Sequence, residues 1–428
     1  MKKSVFILFS VLLIISCTKN NTLPGNGKTP MVLVHGFLAS GDTYEKQAKR
    51  FESNGYRSDQ IYAFDWNSLG SANNEFLLDR FIDSILTITG AAQVDLAGHS
   101  AGSGLVYSYC STSLRAKKIK HLVLLAGSVQ SKPGGPDGKL PTLNIYSASD
   151  KIATMGGNIP GASNLREMDK DHYEVATSIE TFSAMYSFFN NGEVPSTTDI
   201  IPDATIVLSG KAASFGENVP RAGTKVEIYA LDATTGFRIN SSPDAIFTTN
   251  KTGNWGPFTA QADTYYEFAV SNPGLNGDRT VHYYREPFTR SDHLVYLRSY
   301  PTGSSVAGLF LSSLPKDDNQ SIAAFFGASQ SAVAGRDDLK INGNIVSTNT
   351  FCSAANTTIA LFAYDANSNS MTDLTQIPAF GLFPFLNGAD LYFQTATPES
   401  ITFEFNGRVQ KVPNWKSAAE GASVAVFE

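Results

Sequence analysis

The stretch from Val94 to Gly102, Val-Asp-Leu-Ala-Gly-His-Ser-Ala-Gly, constrains the fold of this chain more than any other part of the sequence. Its apolar start predicts a strand, and the residues after it can form a helix. Gly98 and Gly102 carry no side chains, so strand and helix can approach closely around the serine. Such a turn holds Ser100 in a strained conformation with its hydroxyl exposed, and it places the N–H of Ala101 at a helix N-terminus. The chain has 35 glycines, so the pattern alone can also arise by chance.

Short apolar runs alternate with helical patterns on both sides of this turn. Strands are predicted at residues 31–34, 61–66, 94–97, 121–126 and 143–146, and the first reads as buried on both faces. Helices are predicted over 44–54 and 74–89, the second with Phe76, Leu77, Phe81, Ile85 and Ile88 on one side. This alternation predicts an α/β layer structure with a doubly wound sheet.

A serine is a weak nucleophile unless a base takes its proton, so the histidines of this half are the next candidates. They are His35, His99, His121 and His172. His121 begins a strand, whereas His172 lies in a polar loop from which a base can reach the hydroxyl of Ser100. We therefore predict His172 as the base, the alternative being an ordinary surface histidine.

A carboxylate is needed to orient the base and to stabilise its charged form. Asp169 and Asp171 are so close to His172 in the chain that they cannot easily reach its far ring nitrogen. Asp95 lies inside a strand, where a structural carboxylate is expected. Asp150 follows the strand at 143–146 and begins a loop, and the family resemblance described next implies that it is the acid.

Four segments together give the region 29–192 a resemblance to the α/β-hydrolases of the lipase type. They are Val-His-Gly-Phe at 34–37, Gly-His-Ser-Ala-Gly at 98–102, Tyr-Ser-Ala-Ser-Asp at 146–150 and Asp-His-Tyr-Glu-Val-Ala at 171–176. They occur in the chain order of that family, serine before aspartate before histidine.

The resemblance implies a catalytic triad of Ser100, Asp150 and His172, with an oxyanion hole formed by the backbone N–H groups of Phe37 and Ala101. It also implies structural roles for the two remaining histidines, at positions 35 and 99. A single glycine followed by a bulky apolar residue resembles lipases that act on medium or long acyl chains. No metal-ligand spacing is visible, so neither a metal nor a cofactor is expected.

The second half of the chain has the alternating segments and turn residues of all-β structure. A linker at about 190–202 is followed by a predicted β-sandwich domain over 200–285 and a second β domain over 290–428, with strands expected at 294–297, 308–311, 358–364, 391–394 and 401–405 among others. This architecture resembles archaeal lipases whose C-terminal β domain binds lipid, so the second β domain is a candidate for lipid binding. The apolar segment Phe380–Leu386 reads either as a lipid-facing loop or as a buried turn.

The connection Gly127–Thr142 is short and rich in turn residues, so it offers no long lid over the serine. Any cover would have to come from elsewhere in the chain. From the sequence we expect truncation near Gly192 to leave activity on short esters and to reduce activity on long ones. The alternative is that the β half only spaces the enzyme from a membrane or binds a polymer.

The N-terminus reads as an export signal. Lys2 and Lys3 precede an apolar run, Val5–Ile15, that ends just before Cys17. The pattern resembles a bacterial lipobox, which implies a lipoprotein signal peptide at 1–16, lipidation of Cys17 and a polar tether over 17–28. We therefore expect a lipid-anchored protein of the bacterial cell envelope, at the outer membrane or cell surface. The alternative is an ordinary secretory signal.

Composition excludes some classes of partner and scaffold. The formal net charge is −6 without a basic stripe, which argues against a nucleic-acid partner. Three cysteines are too few for a disulfide scaffold, and we expect Cys110 and Cys352 to be buried free thiols rather than a bridge. The predicted function is a serine carboxylic-ester hydrolase whose substrate is a lipid or another ester. The alternatives are a thioesterase, an acyltransferase, or a surface binding protein with a vestigial hydrolase domain.

Overall fold

The computed structural model of the chain describes residues 26–154, 156–272, 279–301 and 306–428. Cys17, the predicted signal peptide and most of the predicted tether lie outside these ranges. Among the described residues, no helix combines the length and the apolar character needed to cross a bilayer.

A parallel sheet of six strands, in the order β2-β1-β3-β4-β5-β6, forms the centre of the first half. Its strands are β1 (Met31–Val34), β2 (Ile61–Phe64), β3 (Val94–His99), β4 (Ile119–Leu125), β5 (Thr142–Ser147) and β6 (Ser163–Glu167). The helices are α1 (Glu45–Ser53), α2 (Asn74–Thr89), α3 (Ala101–Tyr109), α4 (Ser113–Ala116), α5 (Glu174–Thr177) and α6 (Ile179–Phe189). The strand order reverses between β1 and β3, and in such sheets ligands bind beyond the carboxyl ends of the strands at this point.

Helices cover both faces of this sheet. Met31 and Leu33 of β1 pack with α1 and α6, whereas Val32 and Val34 pack with α2 and α3 on the opposite face. All four side chains are buried, which explains the uninterrupted apolar run of the strand. The predicted α/β layer structure of this half is confirmed.

Helix α2 has the predicted bounds but buries only part of the predicted side, with Ile85 fully buried and Phe81 partly buried. Its buried residues are Leu78, Ile82 and Ile85, whereas Phe76 and Ile88 are 50% and 52% exposed. The helix carries two apolar stripes. The stripe formed by Leu78, Ile82 and Ile85, at spacings of four and three residues, is the one that faces the sheet. The choice between the stripes depends on the surface that the helix meets.

The second half consists of three β-sheets. Its strands are β7 (Ile206–Ser214), β8 (Lys225–Leu231), β9 (Ala245–Thr248), β10 (Asn254–Ala260), β11 (Tyr265–Ser271), β12 (Val281–Arg285), β13 (Asp292–Ser299), β14 (Ile322–Gly327), β15 (Leu339–Ile341), β16 (Asn344–Ile345), β17 (Ala360–Tyr364), β18 (Leu386–Asp390), β19 (Ser400–Phe405), β20 (Arg408–Pro413) and β21 (Ala422–Phe427). One short helix, α7 (Val306–Leu311), precedes β14.

An eight-stranded sheet, β18-β17-β14-β21-β12-β11-β8-β9, lies between the other two. The three-stranded sheet β10-β7-β13 packs on one face, where Val426 contributes to the core, and the four-stranded sheet β16-β15-β19-β20 packs on the other, where Phe427 contributes. The predicted all-β, sandwich-like character is confirmed. Strands from both predicted β domains share the central sheet, because β12 pairs in parallel with β21.

Two predicted strands are wrong. Residues 308–311 belong to helix α7, because a short apolar run is equally compatible with a buried helix segment. Residues 391–394 form no strand, since the pairing with β17 ends at Asp390. Leu391 and Phe393 are nevertheless buried, which accounts for their apolar character.

Cys110 and Cys352 are buried in different halves of the molecule, and both are free thiols, as expected. Burial raises the pKa of each thiol to about 12. They are therefore small apolar core residues and not reactive groups.

Candidate active site

Ser100 occupies a strained turn between β3 and α3. Its φ of 53° and ψ of −119° lie in a region that side chains rarely adopt. A Cβ atom at Gly98 would lie 2.4 Å from the backbone oxygen of Gly102, and one at Gly102 would lie 2.4 Å from the oxygen of Val34. Both glycines are therefore sterically required. The amide of Ser100 donates to the oxygen of Leu125 at 2.8 Å, which ties the turn to β4.

Asp150 and His172 form a buried pair beyond the carboxyl ends of β5 and β6. Nδ1 of His172 lies 2.7 Å from Oδ2 of Asp150. The other carboxylate oxygen accepts from the backbone N–H groups of Ile152 and Ala153 at 2.8 and 2.9 Å. Burial disfavours the charged carboxylate, but these hydrogen bonds outweigh it and keep the pKa of Asp150 below its ordinary value. The carboxylate is thus ionised and held in one orientation toward the imidazole.

The other aspartates near the candidate base have different partners. Asp95 accepts from Nδ1 of His121 at 2.7 Å. Asp171 accepts from Ser331 Oγ at 2.6 Å and pairs with Arg336 at 2.9 Å. The side chain of Asp169 is 80% exposed. Of the four candidate carboxylates, Asp150 is the one that meets His172.

The remaining candidate bases of the first half are buried for structural reasons. His99 bonds through Nε2 to the backbone oxygen of His172 at 2.8 Å. Burial, and then the nearby imidazole of His172, lower the pKa of His99 to about 3, so it stays neutral. His35 lies under the loop after β1, and burial lowers its pKa as well.

Ser100 and His172 line the same cavity. Nε2 of His172 is buried and has no hydrogen-bond partner among the described residues. Because Nδ1 is engaged by Asp150, Nε2 is the nitrogen available to accept a proton on the cavity side. The structure therefore brings together the serine, the histidine and the aspartate singled out in the sequence.

The two candidate oxyanion donors lie on either side of Ser100. Ala101 is the first residue of α3. Phe37 lies in the loop after β1, and a Cβ atom at Gly36 would be 3.1 Å from the Cβ of Ser100, so this loop passes directly against the serine. The next residue, Leu38, has a φ of 59°, and its amide donates to Ser68 Oγ at 2.9 Å. The loop therefore makes a tight turn, and a hydrogen bond to Ser68, which lies outside the loop, holds it in place.

Part of the site comes from the far end of the chain. The ring of Phe385 stacks on the imidazole of His172, with centroids 5.6 Å apart and planes at 20°. The rings of Phe383 and Phe37 also stack, with centroids 6.2 Å apart. In the same segment Phe380 is buried, whereas Leu382 is 75% exposed. Phe385 and Leu386 line the cavity at Ser100, Phe380 is buried in a neighbouring core, and Leu382 is exposed, so the segment is largely a buried turn.

The cavity at Ser100 adjoins a second cavity between the sheets of the β half. The two spaces hold about 590 and 620 Å³ without atoms, open solvent at the mouth included. They share four lining residues, Phe215, Arg298, Phe326 and Ala360. The second cavity is bounded mostly by apolar side chains, with Arg298, Ser299 and Ser423 among the polar exceptions. Sequence reasoning did not find it, because its lining comes from strands far apart in the chain.

One group of carboxylates has the spacing of metal ligands. Glu45, Asp292 and Glu428 lie close together among the described residues. Lys49 pairs with all three, at 3.1 Å to Glu45 and 2.8 Å to Asp292, and Arg285 also pairs with Glu45. The negative charge is therefore already compensated by protein cations. None of these residues lines the cavity at Ser100.

Comparisons with known proteins agree with these observations. A family model of class 2 lipases matches residues 28–113, and a model of lipase C-terminal domains matches residues 204–301. A further model of a C-terminal domain matches residues 326–428.

Three solved structures each match about two fifths of the chain. A "predicted CIB-like hydrolase" from Thermoplasma acidophilum has 15% identity and a TM-score of 0.30, covering 39% of this chain and 89% of its own. The thioesterase domain from the curacin biosynthetic pathway has 16% identity and a TM-score of 0.28, covering 38% and 91%. Carboxylesterase CesB from Bacillus subtilis has 10% identity and a TM-score of 0.31, covering 40% and 86%. At these values the likenesses do not bear on activity. The α/β fold of the first half, together with the two lipase matches, supports a lipase- or esterase-like hydrolase.

Proposed function

We propose that this protein hydrolyses carboxylic esters with medium to long acyl chains through a Ser100–His172–Asp150 triad. The observation that carries the proposal is the buried pair of Asp150 and His172 beside a strained serine in one cavity. Nucleophile, base and orienting carboxylate in this arrangement define the chemistry of acyl transfer.

In the proposed reaction, Oγ of Ser100 attacks the ester carbonyl while Nε2 of His172 takes its proton. Asp150 stabilises the resulting imidazolium, and the N–H groups of Phe37 and Ala101 hold the oxyanion. The tetrahedral intermediate then expels the alcohol, which receives the proton from His172. Water attacks the acyl-serine with His172 again as base, which releases the carboxylic acid and restores the serine.

The pair of adjoining cavities supports the assignment to longer acyl chains. Because the two cavities share lining residues, we propose that an acyl chain bound at Ser100 extends past Phe215 and Phe326 into the space between the β-sheets. Burial of apolar surface contributes roughly 25 cal/mol per Å², so each additional buried methylene strengthens binding. We assign the lipid-binding role of the β half to this space.

The first experiment measures hydrolysis of p-nitrophenyl and thiol esters over a series of acyl lengths. Wild type should hydrolyse the oxygen esters, and Ser100→Ala and His172→Ala should each reduce kcat by several orders of magnitude without a change in melting temperature. The double variant should be little worse than either single one, because triad residues act as a unit. A clear preference for thiol esters would favour a thioesterase. Transfer of the acyl group to added alcohols would favour an acyltransferase. If a fluorophosphonate failed to label Ser100, a binding protein would be favoured.

The acyl-chain assignment is tested by filling the second cavity. Ala324 lines it, whereas the preceding residue, Ala323, faces the opposite core of the β half. Ala324→Leu should lower kcat/KM for long esters while butyrate hydrolysis is retained. Ala323→Leu is the matched control, since it overpacks the same strand on its other face. Equal chain-length profiles for the two variants would contradict the assignment.

We further propose that lipidated Cys17 anchors the protein in the bacterial cell envelope. The motivation is the apolar run that ends immediately before this cysteine. Cys17→Ala should abolish labelling by radioactive palmitate and release the protein from the membrane fraction. Persistent labelling in that variant would contradict the proposal.

A further inference from the structure

The loop that carries the oxyanion donor Phe37 is held by two buried side chains from the β half. Asn218 follows β7 and is 4% exposed, and Arg298 lies on β13 and is 8% exposed. Both reach residues of the β1–α1 connection from more than 175 positions further along the chain. Neither residue is signalled by any motif.

The hydrogen bonds begin at Arg298, which can only donate. Its guanidinium binds both carboxylate oxygens of Asp42 at 2.6 and 2.8 Å, and its Nε donates to Oγ of Ser40 at 3.3 Å. Oγ of Ser40 donates to Oδ1 of Asn218 at 2.5 Å, because the amide nitrogen of Asn218 faces two backbone oxygens that can only accept. This fixes which end of the Asn218 amide faces Ser40.

The amide nitrogen of Asn218 consequently points toward the loop. Its two hydrogens face three acceptors, which are the backbone oxygens of Ala39 at 2.7 Å and of Trp66 at 3.1 Å and, also at 3.1 Å, Nε2 of His35. The backbone N–H of Trp66 donates to the same ring nitrogen at 3.1 Å. Because the N–H of Trp66 donates to Nε2, this nitrogen must be unprotonated, and the ring proton of neutral His35 must lie on Nδ1.

Nδ1 of His35 in turn donates to the backbone oxygen of Gly36 at 2.8 Å. That oxygen belongs to the same planar peptide unit as the N–H of Phe37. Holding the carbonyl therefore holds the N–H, and the hydrogen bond on the oxygen also polarises the N–H as a donor. The loop passes against Ser100, so this orientation bears directly on the reacting centre.

We propose that Asn218 is a positioning residue of the oxyanion hole, and that the chain Arg298–Ser40–Asn218–His35 lets the β half orient the N–H of Phe37. The inference rests on the proposed ester hydrolysis, in which Phe37 stabilises the oxyanion. It makes the β half a part of the catalytic machinery and not only a substrate-binding module.

The test replaces the amide of Asn218 in the full-length protein. Asn218→Asp keeps the shape but turns the donor into an acceptor facing Nε2 of His35. Asn218→Gly removes the side chain and tolerates the φ of 56° at this position. Both variants should lower kcat roughly 10-fold to 100-fold. This fall is no larger than the fall in kcat that removal of a whole oxyanion donor typically causes. KM should change by less than about two-fold, because the donor acts mainly in the transition state.

Two readouts separate positioning from a merely structural role. The affinity for a trifluoromethyl ketone, which forms an oxyanion on Ser100, should fall in parallel with kcat. The ¹⁵N shifts of the His35 ring should show a proton on Nδ1 in wild type and its loss from that site in Asn218→Asp. The matched control is His293→Gln, whose imidazole contacts Glu52 and Ile61 at the amino-terminal edge of the sheet, and whose kcat should be unchanged.

The inference is overturned if both Asn218 variants retain wild-type kcat, or if their activity falls only in proportion to the folded fraction. It is also overturned if wild-type His35 carries its proton on Nε2. A wild-type protein that hydrolyses no ester and is not labelled at Ser100 would instead contradict the proposed function, and the His35 tautomer would still be measurable.

Discussion

Asp150 shows how the immediate surroundings decide the role of a residue. The first half of the chain offers four candidate aspartates for this role, at positions 95, 150, 169 and 171, and their side chains are chemically identical. Two backbone N–H groups hold one oxygen of Asp150 and leave the other for His172. Asp171, by contrast, is neutralised by Arg336 from the β half. The contacts, and not the residue type, distinguish an orienting carboxylate from a structural one.

Asp150→Asn should leave the fold intact and lower kcat by roughly 10³-fold to 10⁴-fold. The amide would donate toward Nδ1 of His172 and favour the tautomer that cannot accept the serine proton. Steady-state kinetics and the melting temperature check this together. Asp169→Asn, at an exposed position, is the control and should behave as wild type. Full activity in Asp150→Asn with an inactive but folded Asp171→Asn would move the orienting role to Asp171.

Strand β6 shows how an element can form without a sequence signal. Its residues, Ser-Asn-Leu-Arg-Glu, are mostly exposed and show no apolar alternation, so no strand is predicted there. It exists because its backbone pairs with β5 at the edge of the sheet. The strand ends at Glu167, whose buried carboxylate accepts from Ser178 Oγ at 2.9 Å and from Thr181 Oγ1 at 3.1 Å at the start of α6.

Glu167→Gln should weaken the dependence of stability on pH. Burial raises the pKa of Glu167 to about 7, although the hydroxyls of Ser178 and Thr181 oppose the shift. The folded state therefore binds more protons than the unfolded state between about pH 4.5 and 7, and stability falls as the pH rises through this range. The contribution is on the order of 3 kcal/mol. Urea denaturation at pH 5 and at pH 8 gives the free energy of unfolding at each pH. If this free energy changed equally between the two pH values in wild type and in Glu167→Gln, the assignment would be contradicted.

At the scale of the whole molecule, the two halves share buried charges and a core. Leu294 and Tyr296 of β13 pack into the cluster formed by α1, α6 and the parallel sheet. Arg298 pairs with Asp42, and Arg285 pairs with Glu45, all of them buried. The surface of the first half at this interface is therefore both apolar and charged. Its side chains are buried and paired only when the second half is present.

Because of this interface, our prediction for truncation near Gly192 differs from the one made from the sequence, which was a fragment that still hydrolyses short esters. Removal of one partner of a buried ion pair typically costs about 3–5 kcal/mol, and several pairs would be broken at once. The fragment 26–192 should be insoluble or lack a cooperative unfolding transition, and it should not hydrolyse even butyrate. Circular dichroism during heating and an esterase assay test this against the full-length protein. A folded fragment with wild-type butyrate turnover would contradict it.

The sequence alone determined the parts of this protein that depend on neighbouring residues. The turn around Ser100 follows from glycines two positions away on each side, because their missing side chains permit the close approach of strand and helix. The α/β order of the first half and the β character of the second follow from the period of their apolar residues. The grouping of Asp150 with His172 could be anticipated from the resemblance to lipase-type hydrolases, because the motifs that carry these residues occur in that family's chain order.

Only the tertiary structure decided which distant residues meet at the site. The stacking of Phe385 on His172, the contact of Asn218 with His35 and the cavity beside Phe326 join residues separated by more than 150 positions. Such contacts depend on how whole sheets pack, and local patterns of polarity carry no record of that packing. The same reason explains the buried side of α2, since a helix with two apolar stripes is oriented by the surface it meets.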